Sequence, residues 1–308
     1  MGPTQPAQIA LAHERPSPVA STYRAFWIAA AVLVLCFSRI LFDLVNHALN
    51  ESLHSHIVLV PFISAYLVWQ LRGSLPLPQR TSRLIPSLFA VIGLLSIGAY
   101  AALRFSGKAP SHNDYLSLTV FSFCMFFFAG AAFFLGTAFI RRIAFPLLFL
   151  LVLVPLPDAA TAAIEIASQY ASAETYSWFM SLSGATFYRE GRTFVLPNLT
   201  IVVAQECSGI RSSLVLFITS LIAGHLFLRT GWKRAILALA VFPLGILRNA
   251  FRIYFLSMAS AHWNPDIIHS PLHHRGGPIF FALSLVPFFI LLLWLKKSER
   301  RAALKPAA

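Results

Sequence analysis

Apolar residues fall into eight runs separated by short polar stretches: roughly Ala25–Leu44, His56–Leu71, Arg83–Leu103, Tyr115–Ile140, Ile143–Leu156, Ser208–Leu228, Arg234–Met258 and Gly277–Leu295. Most approach the ~20 residues a helix needs to cross a bilayer. The fifth is short and proline-interrupted (Pro146, Pro155, Pro157), so it reads as a kinked span or a re-entrant segment. Between the fifth and sixth runs, about 158–206, the pattern changes. Ala160–Leu182 mixes Ile164, Ala167, Tyr170, Trp178 and Phe179 with Gln and Glu, which suits a helix lying along an interface. Thr186–Leu196 and Leu199–Ala204 read as strands, with Arg189-Glu190-Gly191-Arg192 turning the first back as a hairpin. The fold expected is an all-α polytopic membrane protein of about eight transmembrane helices, with a small extracytoplasmic helix-plus-hairpin insertion before the sixth run.

Composition sharpens this. Of 308 residues, 57% are hydrophobic and 11% charged, with a mean hydropathy of +0.72. Soluble domains carry about 25% charged residues, so this is an integral membrane protein. The net charge of +13 would suit nucleic acid, but the basic residues lie in clusters between apolar runs, so no nucleic-acid partner is expected. If every run crosses and the N-terminus is cytoplasmic, the inner side collects Arg15, Arg24, Arg72, Arg80, Arg83, Arg141, Arg142, Arg229, Lys233, Arg234, Lys296, Lys297, Arg300, Arg301 and Lys305. The outer loops keep Arg104, Lys108, Arg189, Arg192 and Arg275. Fifteen against five supports eight crossings, since losing the fifth would scatter the clusters. Residues 1–24 are polar and Pro/Ala-rich, a disordered cytoplasmic tail. The first run lacks a small-x-small exit and is expected as a retained anchor. Residues 25–295 form one transmembrane domain and 296–308 a basic cytoplasmic tail.

The chemistry gathers on the outer side. Of three cysteines, Cys36 and Cys124 lie within apolar runs and read as packing residues. Cys207 instead opens a membrane helix after a β-branched run, in Ile201-Val-Val-Ala-Gln-Glu206-Cys207-Ser208-Gly209-Ile210-Arg211-Ser-Ser. The helix dipole and Arg211 both favour its thiolate; a small buried hydrophobe is the alternative. Eight of ten histidines share that side: His47, His54, His56, His112, His262, His269, His273 and His274. Inside the seventh run lie Arg248, Asn249 and Arg252, and a centred arginine costs about 2.5–3.5 kcal/mol on insertion scales. Asn249 and Arg252 share a helix face. Arg248, one turn from Arg252, is placed to snorkel or pair with a lipid phosphate; a structural ion pair is the alternative for Arg252. Cysteine, arginine and histidine thus stand at similar depth on three helices.

In this order the motifs resemble the exosortase/archaeosortase family of membrane-embedded cysteine transpeptidases. Glu206-Cys207-Ser208-Gly209-Ile210-Arg211-Ser212 is similar to its cysteine motif and Asn249-Ala-Phe-Arg252 to its Asn-x-x-Arg motif. His273, Gly277 and Phe281 resemble its His-x-x-x-Gly-x-x-x-Phe motif, although Pro278 stands where an aromatic is common and His274 is adjacent. Ser55-His56-Ile-Val-Leu-Val-Pro61-Phe-Ile-Ser-Ala-Tyr66-Leu-Val-Trp69 is similar to a family segment near the second span. The resemblance implies Cys207 as nucleophile, His273 as proton carrier and Arg252 as oxyanion or geometry holder. Glu206, Ser208, Gly209, Arg211, Asn249 and His274 are the supporting positions. It implies as partners secreted proteins bearing a short motif, a membrane helix and a basic cluster at their C-terminus, an acceptor nucleophile, and membrane lipids, with no cofactor.

Three rivals remain. A metal-dependent protease would use Cys207 and the outer histidines, but no His-Glu-x-x-His occurs and Pro271 breaks the spacing from His269 to His273, so no metal is expected. A serine protease using Ser208 lacks glycine two positions before it. A transporter or channel lined by Arg248, Asn249 and Arg252 lacks an inverted repeat.

Overall fold

The computed structural model describes residues 18–51, 53–79, 82–107, 110–197, 199–203, 209–262 and 277–304. Contacts divide the chain into two units, Met1–Ala48 with Ile57–Pro155, and Leu49–His56 with Leu156–Ala308. Among the described residues, six helices are long and apolar enough to cross a membrane, or seven if Ala144–Leu153 and Asp158–Leu182 are one broken span. Ser55–Gln70 is a shorter apolar helix. The eight runs are thus all largely helical, and "about eight" spans corresponds to six or seven of full length plus a short one.

The first unit contains α1 (Pro18–Cys36), α2 (Ser38–Asn50, whose last two residues belong to the second unit), α3 (Val60–Gln70), α4 (Leu84–Phe105), α5 (His112–Leu135), α6 (Thr137–Arg142) and α7 (Ala144–Phe149). Helix α5 is its core: 61% of its most apolar window is buried, against 17% for α4 and 6% for α1. Small residues let α4 approach α5. A Cβ at Gly93 would lie 3.3 Å from the Met125 Cβ and from the Phe126 ring. Hydroxyls then cross the seam, Ser122 to the Gly93 carbonyl and Ser96 to the Leu118 carbonyl, both at 2.8 Å. This is the packing expected where lipid removes the hydrophobic drive for helix association. Cys124 is buried with its thiol 3.6 Å from the Leu150 carbonyl, a packing residue as expected. Cys36 is exposed on α1, so its neighbours are not this unit's core.

The second unit contains α8 (Asp158–Leu182), β1 (Tyr188–Glu190), β2 (Thr193–Leu196), β3 (Leu199–Val202), α9 (Ile210–Phe227), α10 (Gly231–Leu239), α11 (Val241–His262) and α12 (Gly277–Leu304). The three strands form an antiparallel meander in chain order, with Glu190 opposite Thr193 and Leu196 opposite Leu199. Strand alternation turns Phe194, Leu196 and Ile201 inward and Val195 and Val202 outward. The inward set packs with Ala173, Tyr176 and Met180 of α8 against Ala250 and Ile253 of α11. The Tyr176 and Phe194 rings meet edge to face at 4.6 Å. A second core joins α9, α10 and α12 through Leu216, Leu237, Phe288, Leu292 and Leu295.

Two boundaries differ from expectation. The first helix begins at Pro18, so residues 18–24 are helical rather than disordered. The last continues through Leu304, so Lys296 to Arg301 ride on its final turns instead of a tail. Cations there complement the helix C-terminus.

Candidate functional site

The cysteine motif enters the described structure at Gly209, which caps α9 in a left-handed conformation (φ 67°, ψ 10°). Glycine is needed for the backbone angle, and for space. A Cβ there would lie 3.0 Å from Arg248 Nη2 and 3.4 Å from the Asn249 Cγ and Oδ1. The glycine of the cysteine motif is therefore seated against the start of the Asn-x-x-Arg motif on α11.

Arg248 holds that seat. It is 9% exposed, and its Nη2 donates to the Gly209 carbonyl at 3.1 Å and to the Ser213 hydroxyl at 3.3 Å. The same carbonyl also accepts from the Ser212 hydroxyl (3.0 Å) and the Ser213 amide (3.1 Å). The sequence suggested an arginine snorkelling to lipid. The structure turns it inward instead, because the Gly209 carbonyl stands within reach of its guanidinium. Near this bond α9 and α11 nearly touch: a Cβ at Gly245 would fall 2.4 Å from Ser213 Oγ.

Asn249 is fixed from a third helix. It is 2% exposed and its Nδ2 donates to the Ser172 hydroxyl at 3.0 Å, Ser172 being fully buried on α8. Gln169, one turn earlier on α8, is 3% exposed. Among the described residues its Oε1 and Arg248 Nη1 are buried polar atoms without a hydrogen-bond partner. A second α8–α11 bond, from the Tyr176 hydroxyl to Ser257 at 3.1 Å, braces the pair. Arg252 is half-buried on α11, three residues beyond Asn249, and Arg211 is exposed on the first turn of α9.

Of the residues singled out in the sequence, the structure brings together Gly209 and Asn249, with Arg252 on the next turn of the same helix. Glu206, Cys207, Ser208, His273 and His274 lie outside the described residues. Several of the other outer histidines engage locally. His47 and His112 pair their rings at 5.6 Å. The Nδ1 atoms of His56 and His262 meet backbone carbonyls of their own segments, Leu53 at 3.2 Å and Met258 at 3.0 Å. Sequence reasoning missed Arg248 as the support of Gly209, and Ser172, Ser213 and Gly245 altogether. One signal was available, since Gly245 and Gly209 are small residues on adjoining runs that also carry the costly arginine.

What this arrangement offers is a buried, hydrogen-bonded platform two residues beyond Cys207, made from α8, α9 and α11. The family model described as "Transmembrane exosortase (Exosortase_EpsH)" matches residues 46–290. No curated protein and no solved structure matches the chain. That match runs across well over half of the sequence and through all three motifs, and the chain belongs to the transmembrane exosortase family.

Proposed function

We propose that the protein is a cysteine-dependent transpeptidase or protease that cleaves C-terminal sorting signals of secreted proteins. The observation that carries this reading is the seat of Gly209. It follows Cys207 by two residues and packs on Arg248 and Asn249, the latter three residues before Arg252. The Cys207 thiolate attacks the carbonyl carbon of a peptide bond just above the substrate's membrane helix. Arg252, whose pKa is too high for a base, stabilises the oxyanion. The C–N bond breaks, His273 gives its proton to the leaving amine, and a thioester remains. Water, an amine or a hydroxyl then resolves it, its proton returning to His273. In the sequence Glu206 and Ser208 adjoin Cys207 and His274 adjoins His273, Arg211 stands on the first turn of α9, and Asn249 holds the arginine-bearing helix in register. Basic clustering supports a multi-pass protein of a prokaryotic cytoplasmic membrane with this site on the outer side. Transport is disfavoured, because Arg248 and Asn249 are engaged within the unit rather than lining an open path.

The test is co-expression with a tagged secreted protein ending in a short motif, a membrane helix and a basic cluster, followed by blotting. Wild type shortens the substrate. Cys207→Ala abolishes the product, and Arg252→Ala and His273→Ala reduce it severely. Processing by Cys207→Ala would remove the thiol mechanism.

A further inference from the structure

At the far ends of α9 and α12 from their Gly209 and Gly277 starts, the second unit contains a cavity of about 570 Å³. Arg229, Lys233, Arg234, Lys296 and Arg300 line it, with Glu299 as the acidic member, so five cations face one carboxylate. That carboxylate is already engaged. Its oxygens accept from the Arg229 amide at 3.0 Å and the Thr230 amide at 2.9 Å. Lys233 is 5% exposed, and its ammonium has one hydroxyl partner, Ser298 Oγ at 3.2 Å, besides the Trp232 ring at 5.4 Å. A buried ammonium has three protons to place and is costly unless an anion faces it. Glu299 attracts it across the cavity from beyond ion-pair distance, and that one carboxylate is shared among five cations.

We propose that this cavity binds the phosphate headgroup of an anionic phospholipid. The shape fits a lipid as well as the charge does. Leu226 and Phe227 line the cavity beside its cations, and both are exposed at the end of a membrane-length helix. Trp232 and Trp294 are exposed nearby in the chain on α10 and α12, the residue type that settles at headgroup level. Basic pockets between membrane helices on the cytoplasmic side bind such headgroups. The cytoplasmic placement rests on the orientation proposed above; the cavity's chemistry does not.

The test uses the full-length protein in detergent and fluorescent phosphatidylglycerol, with phosphatidylcholine of the same chains as the neutral comparison. Wild type binds phosphatidylglycerol at least tenfold more tightly. Arg229→Gln with Arg300→Gln, both exposed positions, weakens it by roughly fivefold per cation removed. Lys233→Gln, judged on its folded fraction by size exclusion, loses the preference for the anionic lipid. Equal binding of the two lipids, or an unchanged affinity in the double variant, overturns the proposal. Displacement by millimolar inorganic phosphate overturns the lipid assignment and leaves a soluble phosphate as the ligand. No substrate is cleaved in this experiment, so its outcome is independent of the proposed peptidase activity.

Discussion

Two helix seams in this protein solve one problem with different donors. Between α4 and α5, Gly93 permits close approach and its carbonyl accepts from the neutral Ser122 hydroxyl. Between α9 and α11, Gly209 and Gly245 permit close approach, and the Gly209 carbonyl accepts from the buried guanidinium of Arg248. A hydroxyl is the less costly way to satisfy a carbonyl at membrane depth, since a buried charge carries a desolvation penalty that two neutral acceptors do not offset. The α4–α5 seam therefore needs only packing to explain it. The α9–α11 seam instead uses a buried charge to hold the left-handed glycine of the cysteine motif, which accords with the site proposed above.

The comparison breaks most sharply at Arg248. Arg248→Met keeps much of the volume and removes the charge, so thermal stability holds or rises, as for other buried charges replaced by apolar groups. Substrate processing falls by about 100-fold, the penalty for misplacing a reacting group by about an ångström. Parallel loss of stability and activity would make Arg248 merely structural. A middle effect comes from Gly245→Ala, whose new methyl meets Ser213 Oγ and lowers stability by about 1–3 kcal/mol. Adding Ser213→Ala removes the opposing hydroxyl and restores most of the melting temperature; without rescue, the seam is not as close as described. The smallest change is Ser122→Ala, which deletes one interhelical hydrogen bond worth about 0.6 kcal/mol. Processing should be unchanged there, and a loss of activity would erase the distinction between the seams.

Much of the helical scaffold was legible because membrane spans write themselves as long apolar runs. Breaks inside the runs were harder to read. The first run divides at Phe37 and the seventh at Ala240, both ordinary apolar positions. The fourth is interrupted at Gly136, whose φ of 88° no run of apolar residues announces. The insertion was read correctly as a helix, a hairpin and a return strand, since alternation and the Gly191 turn are local signals. Its service to the site was not. Ser172 is an unremarked serine in the sequence, and only its burial against Asn249, 77 residues away, gives it a role. Arg248 was visible as an expensive residue, but which way it turned depended on a carbonyl from another helix.

The bonds from the Arg229 and Thr230 amides to Glu299 bear on the order in which the molecule is made. Donors and acceptor are 70 and 69 residues apart, and the acceptor leaves the ribosome well after the donors. Until then the turn joining α9 to α10 has no carboxylate to receive its amides. That turn is thus fastened only when α12 arrives, so the end of the second unit closes after the two helices it joins have been made.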